Sequence, residues 1–258
     1  MTNCRAECKF ANLLFVNVRI RDEETIALFD TGAGMTVIAR SALARLGGEM
    51  ENSALHAGNN NGLVRAFPTA VISNVRLGDI CIEKLRVIVA DDADFALCDE
   101  SGAAFSAEML LGWDVISQYH WSYSAKSGTL LVSTSQRASA LCDPDARQGP
   151  VVFPAYSGYR FKARVDTGHT SSTLSAAWRT RLPDVEWHEA ESVGIGSVQH
   201  TSCPYVRNFQ IVFQDRLITL RDVDISGKLY GQPDDVEALL GYDFLEGMDW
   251  RLDQEFQV

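Results

Sequence analysis

The tripeptide Asp-Thr-Gly occurs twice in this 258-residue chain, beginning at Asp30 and at Asp166. Two carboxyl groups held about 3 Å apart cannot both ionise, so such a pair shares one proton and can act as base and acid together. Hydrolysis of a peptide bond needs those two roles, because a water must be activated and the leaving amine must receive a proton. We therefore predict that Asp30 and Asp166 form a catalytic pair.

The residues after each aspartate suit such a pair. A threonine hydroxyl can hydrogen-bond to the opposite loop and hold the two loops in register. A glycine lets the backbone turn tightly and bring its N–H toward the carboxylate. The predicted supporting residues are Thr31, Gly32 and Ala33 in the first copy and Thr167, Gly168 and His169 in the second.

A second tripeptide, Leu-Leu-Gly, follows each Asp-Thr-Gly, at Leu110–Gly112 and at Leu239–Gly241. The alternation of the two tripeptides indicates a duplicated chain. The interval from the aspartate to Leu-Leu-Gly is seven residues longer in the first half, and we place the excess in the acidic segment 91–107. Leu111, Gly112, Leu240 and Gly241 are predicted to support the active-site loops.

Hydrophobic alternation predicts two equivalent β-rich halves. A strand hairpin precedes each aspartate and a short helix follows it, the first capped by Ser41 and closed by Gly47, the second running from near Ser175 to Pro183. Turn-rich segments at 58–62 and 194–197 each begin 28 residues after an aspartate. Strands are predicted at 13–20, 25–29, 70–75, 80–89, 151–156, 160–165, 206–213 and 217–223.

Composition limits the class of protein. Hydrophobic residues make up 46% of the chain and the net charge is -11, which indicates a folded protein and disfavours a nucleic-acid partner. The sequence contains no apolar run of about 20 residues and no convincing signal peptide, so we predict no membrane association and a cytoplasmic location.

The cysteines are predicted to be free thiols, and no metal site is expected. Two short strings contain metal-binding residue types, Cys4-x3-Cys8 and His200-x2-Cys203. Neither string has the matching second pair that a zinc site of this kind needs.

A resemblance to a known family rests on these motifs. Ala27–Ala33, followed by Thr36-Val37-Ile38 and by a helix ending at Leu46-Gly47, resembles the retropepsin family of aspartic peptidases. Leu110–Asp114 is similar to the second signature of that family, in which two apolar residues and a glycine open a short helix. The resemblance covers residues 10–135 and 150–258.

The resemblance implies a mainly β fold of duplicated acid-protease type, with two closed β-barrel lobes, short helices and a pseudo-twofold axis. The lobes would span residues 1–135 and 151–258, joined by a linker at 136–150. It also implies a peptide or protein substrate bound between the lobes, no metal or cofactor, and an active site completed within one chain, which we expect to be a monomer. Flap hairpins would cover the substrate at Gly58, Asn60, Gly62, Gly194, Gly196 and Ser197.

Two positions depart from the family pattern. His169 stands where the family has Ala, Ser or Thr, and it could perturb the titration of the pair, bind substrate or point into the interface between the lobes; we favour the structural role. Ala33 offers no hydroxyl to an ionised Asp30, so we expect the pair to titrate higher than in pepsins. No tyrosine lies at either predicted flap tip.

Two other interpretations were considered. Asp166–Thr170 fits the Asp-x-Gly-x-Thr string of actin-like and sugar-kinase folds, but Thr36 is displaced from that string in the first copy and Leu-Leu-Gly has no role there. A non-catalytic peptide-binding or assembly module on the same fold is the second alternative. Retention of both aspartates and both threonines argues against it.

Overall fold

The chain is mainly β-strand with short helices, as the sequence predicts. The computed structural model describes residues 2–4, 6–8, 13–59, 61–95, 97–98, 104–105, 107–136, 149–194, 197–253 and 256–258. Among these residues, no helix has the length and apolar character needed to cross a membrane.

The strands of the first half, in chain order, are β1 (Thr2–Cys4), β2 (Ala6–Cys8), β3 (Leu14–Ile20), β4 (Glu23–Phe29), β5 (Val37–Ala39), β6 (Glu49–Gly58), β7 (Val64–Leu77), β8 (Ile80–Ala90), β9 (Leu97–Cys98), β10 (Ala104–Phe105), β11 (Met109–Leu111), β12 (Tyr119–Ser124) and β13 (Thr129–Gln136).

The strands of the second half are β14 (Val151–Val152), β15 (Ala155–Tyr156), β16 (Tyr159–Arg160), β17 (Ala163–Val165), β18 (Thr173–Leu174), β19 (Glu186–Gly194), β20 (Ser197–Phe213), β21 (Arg216–Ile225), β22 (Ala238–Leu240), β23 (Trp250–Leu252) and β24 (Phe256–Gln257).

The first half closes into a six-stranded barrel. One sheet has the order β2-β3-β4-β11-β5-β8-β7-β6, and an additional pairing of β3 with β7 closes the ring. Along β3, Val16, Val18 and Ile20 are buried while Asn17 and Arg19 are exposed, which is the period of two expected for a strand with one face in the core. The barrel interior is therefore filled by the alternate apolar residues that predicted the strands.

The second half repeats the strand order of the first. Its curled sheet has the order β14-β17-β22-β18-β21-β20-β15-β16, and β19 pairs with β20. The series β4-β11-β5-β8-β7-β6 corresponds to β17-β22-β18-β21-β20-β19, with parallel and antiparallel pairings at the same places. The two related sheets are those of the predicted duplicated acid-protease fold.

The register shows where the two halves differ in length. Val37 pairs with Ile88 in the first half, and Thr173 pairs with Asp224 in the second at the same separation along the chain. The partners of these strands on β11 and on β22 are no longer equally far along the chain in the two halves. The seven extra residues therefore lie between β8 and β11, as predicted for the segment 91–107.

A third sheet joins the two halves. Its order is β1-β13-β12-β23-β24, so strands from both ends of the chain pair within it. Trp121 on β12 and Trp250 on β23 are buried, and their rings lie 5.0 and 6.1 Å from the ring of Phe29. Phe29 directly precedes Asp30, so this aromatic cluster forms the floor of the first active-site loop. Residues 137–148 of the predicted linker lie outside the described residues, and the lobe limits stay a prediction.

The hairpin predicted before the second aspartate is broken into shorter strands. Pro154 separates β14 from β15, because a proline has no N–H to donate to a strand ladder. β14 pairs with β17, whereas β15 pairs with both β16 and β20. The predicted boundaries at 151–156 and 160–165 were therefore wrong, although both segments contain strands.

The predicted cap of the first helix was also wrong. Helix α1 (Arg40–Arg45) begins after Ala39, and Ser41 lies inside it, where its N–H donates to the carboxylate of Asp92 at 3.0 Å. A side chain from a distant turn thus caps the helix. Gly47 follows the helix with a φ of +67°, as predicted for a closing glycine.

The remaining helices are short. The helix predicted from Ser175 is a 3₁₀ turn that ends before Pro183. These helices are α2 (Trp113–Ile116) and the 3₁₀ turns Asp92–Phe95, Ala176–Thr180 and Tyr242–Phe244.

Candidate active site

The two Asp-Thr-Gly loops are placed by equivalent strand pairings. Asp30 follows β4, which pairs in parallel with β11, and its N–H donates to Leu111 O at 3.0 Å. Asp166 follows β17, which pairs in parallel with β22, and its N–H donates to Leu240 O at 2.8 Å. The Leu-Leu-Gly segments therefore lie directly beside the two aspartates.

The threonines join the two loops through a buried hydrogen-bond network. The N–H of Thr31 donates to Thr167 Oγ1 at 3.1 Å, and the N–H of Thr167 donates to Thr31 Oγ1 at 3.0 Å. The hydroxyl of Thr31 donates to Val165 O at 2.7 Å and that of Thr167 to Phe29 O at 2.6 Å. The N–H and hydroxyl groups of each threonine thus find their hydrogen-bond partners in the opposite half. These bonds hold the two loops in register, as predicted.

The glycines bring each loop against the opposite carboxyl group. A Cβ added at Gly32 would overlap the carboxyl group of Asp166, and a Cβ added at Gly168 would overlap that of Asp30. The backbones approach so closely that no side chain fits at either position. This reciprocal contact places the two aspartates face to face.

The carboxylates accept hydrogen bonds from their own loops. Asp30 Oδ1 accepts the N–H groups of Gly32 at 2.8 Å and of Ala33 at 3.0 Å. Asp166 Oδ1 accepts the N–H of Gly168 at 3.1 Å, while the N–H of His169 donates to the backbone oxygen of Asp166 at 3.2 Å. The two copies thus differ at the position where Ala33 and His169 correspond.

The pKa of Asp30 is raised from 3.8 to about 8, and burial of the carboxyl group is the largest cause. The charge of Asp166 contributes to the same rise, and the N–H groups of Ala33 and Gly32 oppose it by stabilising the ionised form. The main cause of the rise is loss of solvent around the carboxyl group, and the missing hydroxyl at Ala33 is not needed to explain it. That the pair titrates higher than in pepsins stays a prediction.

The raised pKa of Asp30 predicts a pH-dependent gain in stability for Asp30→Asn. Below about pH 4 the carboxyl is protonated in the folded and the unfolded chain, so the substitution has little effect. As the pH rises toward 8, the unfolded chain ionises while the folded protein resists ionisation, and the wild type loses stability relative to the variant. Thermal unfolding from pH 4 to 8 should show a growing difference in Tm in favour of Asp30→Asn. A constant difference would contradict the burial of Asp30.

A buried carboxylate behind the first loop was not assigned a site role from the sequence. Asp114, the second residue of α2, accepts the N–H of Thr36 at 2.9 Å and its hydroxyl at 2.8 Å. The same hydroxyl accepts the N–H of Gly112 at 3.1 Å, and the N–H of Trp113 donates to Ala33 O at 2.7 Å. These contacts tie the Leu-Leu-Gly segment to the first Asp-Thr-Gly loop.

The second copy repeats this arrangement. Asp243 accepts the N–H and the hydroxyl of Ser172 at 3.0 and 2.7 Å, and that hydroxyl accepts the N–H of Gly241 at 3.0 Å. Burial raises the pKa values of both Asp114 and Asp243. The sequence signal for this arrangement was a hydroxyl residue, Thr36 or Ser172, six positions after the aspartate of each Asp-Thr-Gly.

His169 is half-buried, and its ring contacts its own loop. Nδ1 lies 2.6 Å from Ser171 O, and since a carbonyl oxygen can only accept, Nδ1 carries the proton. The backbone oxygen of His169 accepts the N–H of Tyr242 at 2.7 Å. The expected placement of this side chain in the interface between the lobes stays a prediction.

The predicted flap turns lie at the tips of equivalent hairpins. Gly58 ends β6, and Gly62 has a φ of +77°, with its α-carbon packed against the ring of Tyr230 from the second half. Gly194 ends β19 and pairs with Ser197 at the start of β20. Asn60 and Gly196 lie outside the described residues. Their function as flaps stays a prediction.

Comparison with known protein families finds a match in the first half of the chain. Residues 16–118 match the family model described as gag-polyprotein putative aspartyl protease, and the match includes the first Asp-Thr-Gly and the first Leu-Leu-Gly. Comparison with curated proteins found none that matches the chain. For the second half, the similarity rests on the repeated motifs and on the repeated strand order.

Proposed function

We propose that this protein is an aspartic endopeptidase whose catalytic pair is Asp30 and Asp166. The observation that carries the proposal is the reciprocal packing of the loops, with Gly32 against the carboxyl group of Asp166 and Gly168 against that of Asp30. The match of residues 16–118 to the aspartyl protease family supports the same class of reaction.

In the proposed reaction the pair holds one proton and one water. The ionised carboxylate takes a proton from the water as that water attacks the scissile carbonyl carbon, and the protonated carboxyl donates to the carbonyl oxygen. The tetrahedral intermediate then breaks its C–N bond as the amine receives a proton from the pair. No covalent bond to the enzyme forms. The proton belongs to the pair as a unit, because groups so strongly coupled titrate together.

The proposed substrate is an extended peptide or protein segment bound between the two halves. Exposed strand edges and the hairpin turns at 58–62 and 194–197 would pair with its backbone and close over it. We propose a monomer that acts in the cytoplasm without cofactor, nucleic acid or membrane, on the sequence grounds given above. A finer assignment within the class, a single chain of two retropepsin-type units, rests on the repeated strand order.

Incubation with a mixed peptide library tests the proposal. We expect the purified protein to cut internal peptide bonds between pH 4 and 7, producing pairs of fragments that mass spectrometry identifies. In H₂¹⁸O each new carboxyl group should take up one ¹⁸O, because water is the nucleophile. Tight binding of intact peptides without cleavage would instead favour the peptide-binding module.

A further inference from the structure

Three side chains with metal-binding atoms meet on one face of the second-half sheet, away from the proposed catalytic pair. They are His188 on β19, Cys203 on β20 and Asp224 on β21. One donor atom from each, an imidazole nitrogen, the sulfur and a carboxylate oxygen, lie within 4.8 Å of one another. His188 Nε2 is 2.7 Å from Asp224 Oδ1.

Strand register brings these three residues together. His188 lies directly opposite Cys203 in the antiparallel pair of β19 and β20. Asp224 lies opposite Tyr205, which follows Cys203 by two residues and therefore shares its face of the sheet. The cluster is thus built from three adjacent strands, a rigid arrangement in which the backbone holds the donors before any ion binds.

The first half provides an internal comparison. Its register pairs Leu55 with Phe67 and Thr69 with Ile88, in the same arrangement as the pairs of the second half. The residues at the positions of the cluster are therefore Leu55, Phe67 and Ile88, all apolar. In the first half, apolar side chains alone pack this part of the fold. Packing therefore does not explain why the second half has a histidine, a cysteine and an aspartate there.

We propose that His188, Cys203 and Asp224 bind a zinc ion. Nitrogen, sulfur and carboxylate oxygen are the donors that Zn²⁺ prefers, and three protein ligands with a water in the fourth position form a common tetrahedral set. In such a site the donor atoms lie about 3.5 Å apart. The imidazole and carboxylate must therefore separate slightly as the sulfur approaches, and binding releases the thiol proton to solvent.

The surroundings favour an ion at this place. Cys203 is 8% exposed, whereas the side chains of His188 and Asp224 are 37% and 31% exposed, so solvent reaches the cluster from one side. The ring of His188 lies 4.4 Å from that of Tyr205, which restricts its orientation. Burial and the charge of Asp224 raise the pKa of the Cys203 thiol, so an ion that binds here must displace the thiol proton.

From the sequence, Cys203 was considered together with His200, and no metal site was expected. In the folded strands His200 lies opposite Glu191, and the histidine opposite Cys203 is His188, fifteen residues earlier. An ion here would cross-link the hairpin of β19 and β20 to β21. The turn 194–197 lies at the tip of that hairpin, so the ion would fix the end of the hairpin opposite to the turn.

Titration with Co²⁺, which replaces zinc and is coloured, tests the site directly. The full chain should develop a thiolate-to-cobalt charge-transfer band in the near ultraviolet, and Cys203→Ser should lose it. Cys81→Ser and His200→Gln are matched controls, because Cys81 is an exposed free cysteine and His200 belongs to the rejected string. Both controls should retain the band. Absence of the band in the wild type, or its persistence in Cys203→Ser, would overturn the proposal.

Zinc affinity provides a second readout that does not depend on activity. Calorimetric titration with Zn²⁺ should show one site with release of a proton, and a chelator should reverse the accompanying rise in Tm. His188→Gln and Asp224→Asn should each weaken binding by about tenfold or more. Equal affinities in these variants and the wild type would contradict the ligand set, whereas peptide cleavage by the same preparations reports on Asp30 and Asp166 separately.

Discussion

Replacing Asp30 with asparagine is expected to lower kcat/KM for peptide hydrolysis by on the order of 10³-fold while the protein stays folded. An amide can still donate and accept hydrogen bonds, so the N–H groups of Gly32 and Ala33 keep their acceptor. An amide is neither acidic nor basic enough to give or take a proton in the reaction, so the pair then lacks either its base or its acid. Asp166→Asn should cause a loss of similar size, because neither carboxyl can perform both roles alone.

Asp222→Asn is the matched control for these two variants. Asp222 is an exposed residue on β21, and the substitution makes the same chemical change outside the proposed site. Initial rates on one peptide, with Tm measured for each preparation, separate a chemical defect from unfolding. Activity of Asp30→Asn within threefold of the wild type would remove Asp30 from the mechanism. Retained peptide binding with no cleavage in Asp30→Asn is the result that the mechanism requires.

The main features of the site could be predicted because they depend on residue types at repeated positions. Predicting Asp30, Asp166 and the threonines after them requires no knowledge of the rest of the fold, because a duplicated motif predicts a duplicated geometry. The supporting roles of Asp114 and Asp243 could not be assigned in the same way. Their partners, Thr36 and Ser172, lie about 70 to 80 residues away along the chain, and only the pairing of β11 with β4 and of β22 with β17 brings them together.

The fold was predictable where hydrophobic periodicity was strong and not where tertiary contacts replace local signals. Strand β3 follows the alternation of its own residues from Val16 to Ile20. Ser41 was expected to cap α1 from its residue type, but the carboxylate of Asp92, held by a turn after β8, does so from outside the helix. Pro154 had the opposite effect, because a local property, the missing N–H, divided a strand that the apolar pattern had joined.

The cluster of His188, Cys203 and Asp224 could not be predicted from the sequence for the same reason, because tertiary contacts bring its members together. Its members are separated by fifteen and by twenty-one residues, and no spacing rule for metal ligands connects them. The sequence offered Cys203 with the nearer His200. Only the register of the three strands identifies His188 as the histidine next to Cys203. The apolar residues at the corresponding positions of the first half then show that packing does not account for these three side chains.

Gly32→Ala is expected to abolish most activity without unfolding the protein. The added methyl group would meet the carboxyl group of Asp166, so that group must move or the two loops must separate. A displacement of about 1 Å in a catalytic group can cost on the order of 10²-fold in rate. The overlap should also cost roughly 1–3 kcal/mol of stability, as overpacked sites do. Measurements of kcat/KM and of Tm on the same preparations give both effects.

Two further alanine variants decide whether the loss comes from the pairing of the loops. Gly168→Ala places the same methyl group against Asp30 and should reproduce the defect, because the contact is reciprocal. Gly227→Ala changes a glycine with no atom within 4 Å of the added carbon, and it should retain wild-type activity and Tm. If Gly32→Ala were as active as Gly227→Ala, the loops could not be as close as the structure places them, and two carboxyl groups that distant could not hold one proton between them.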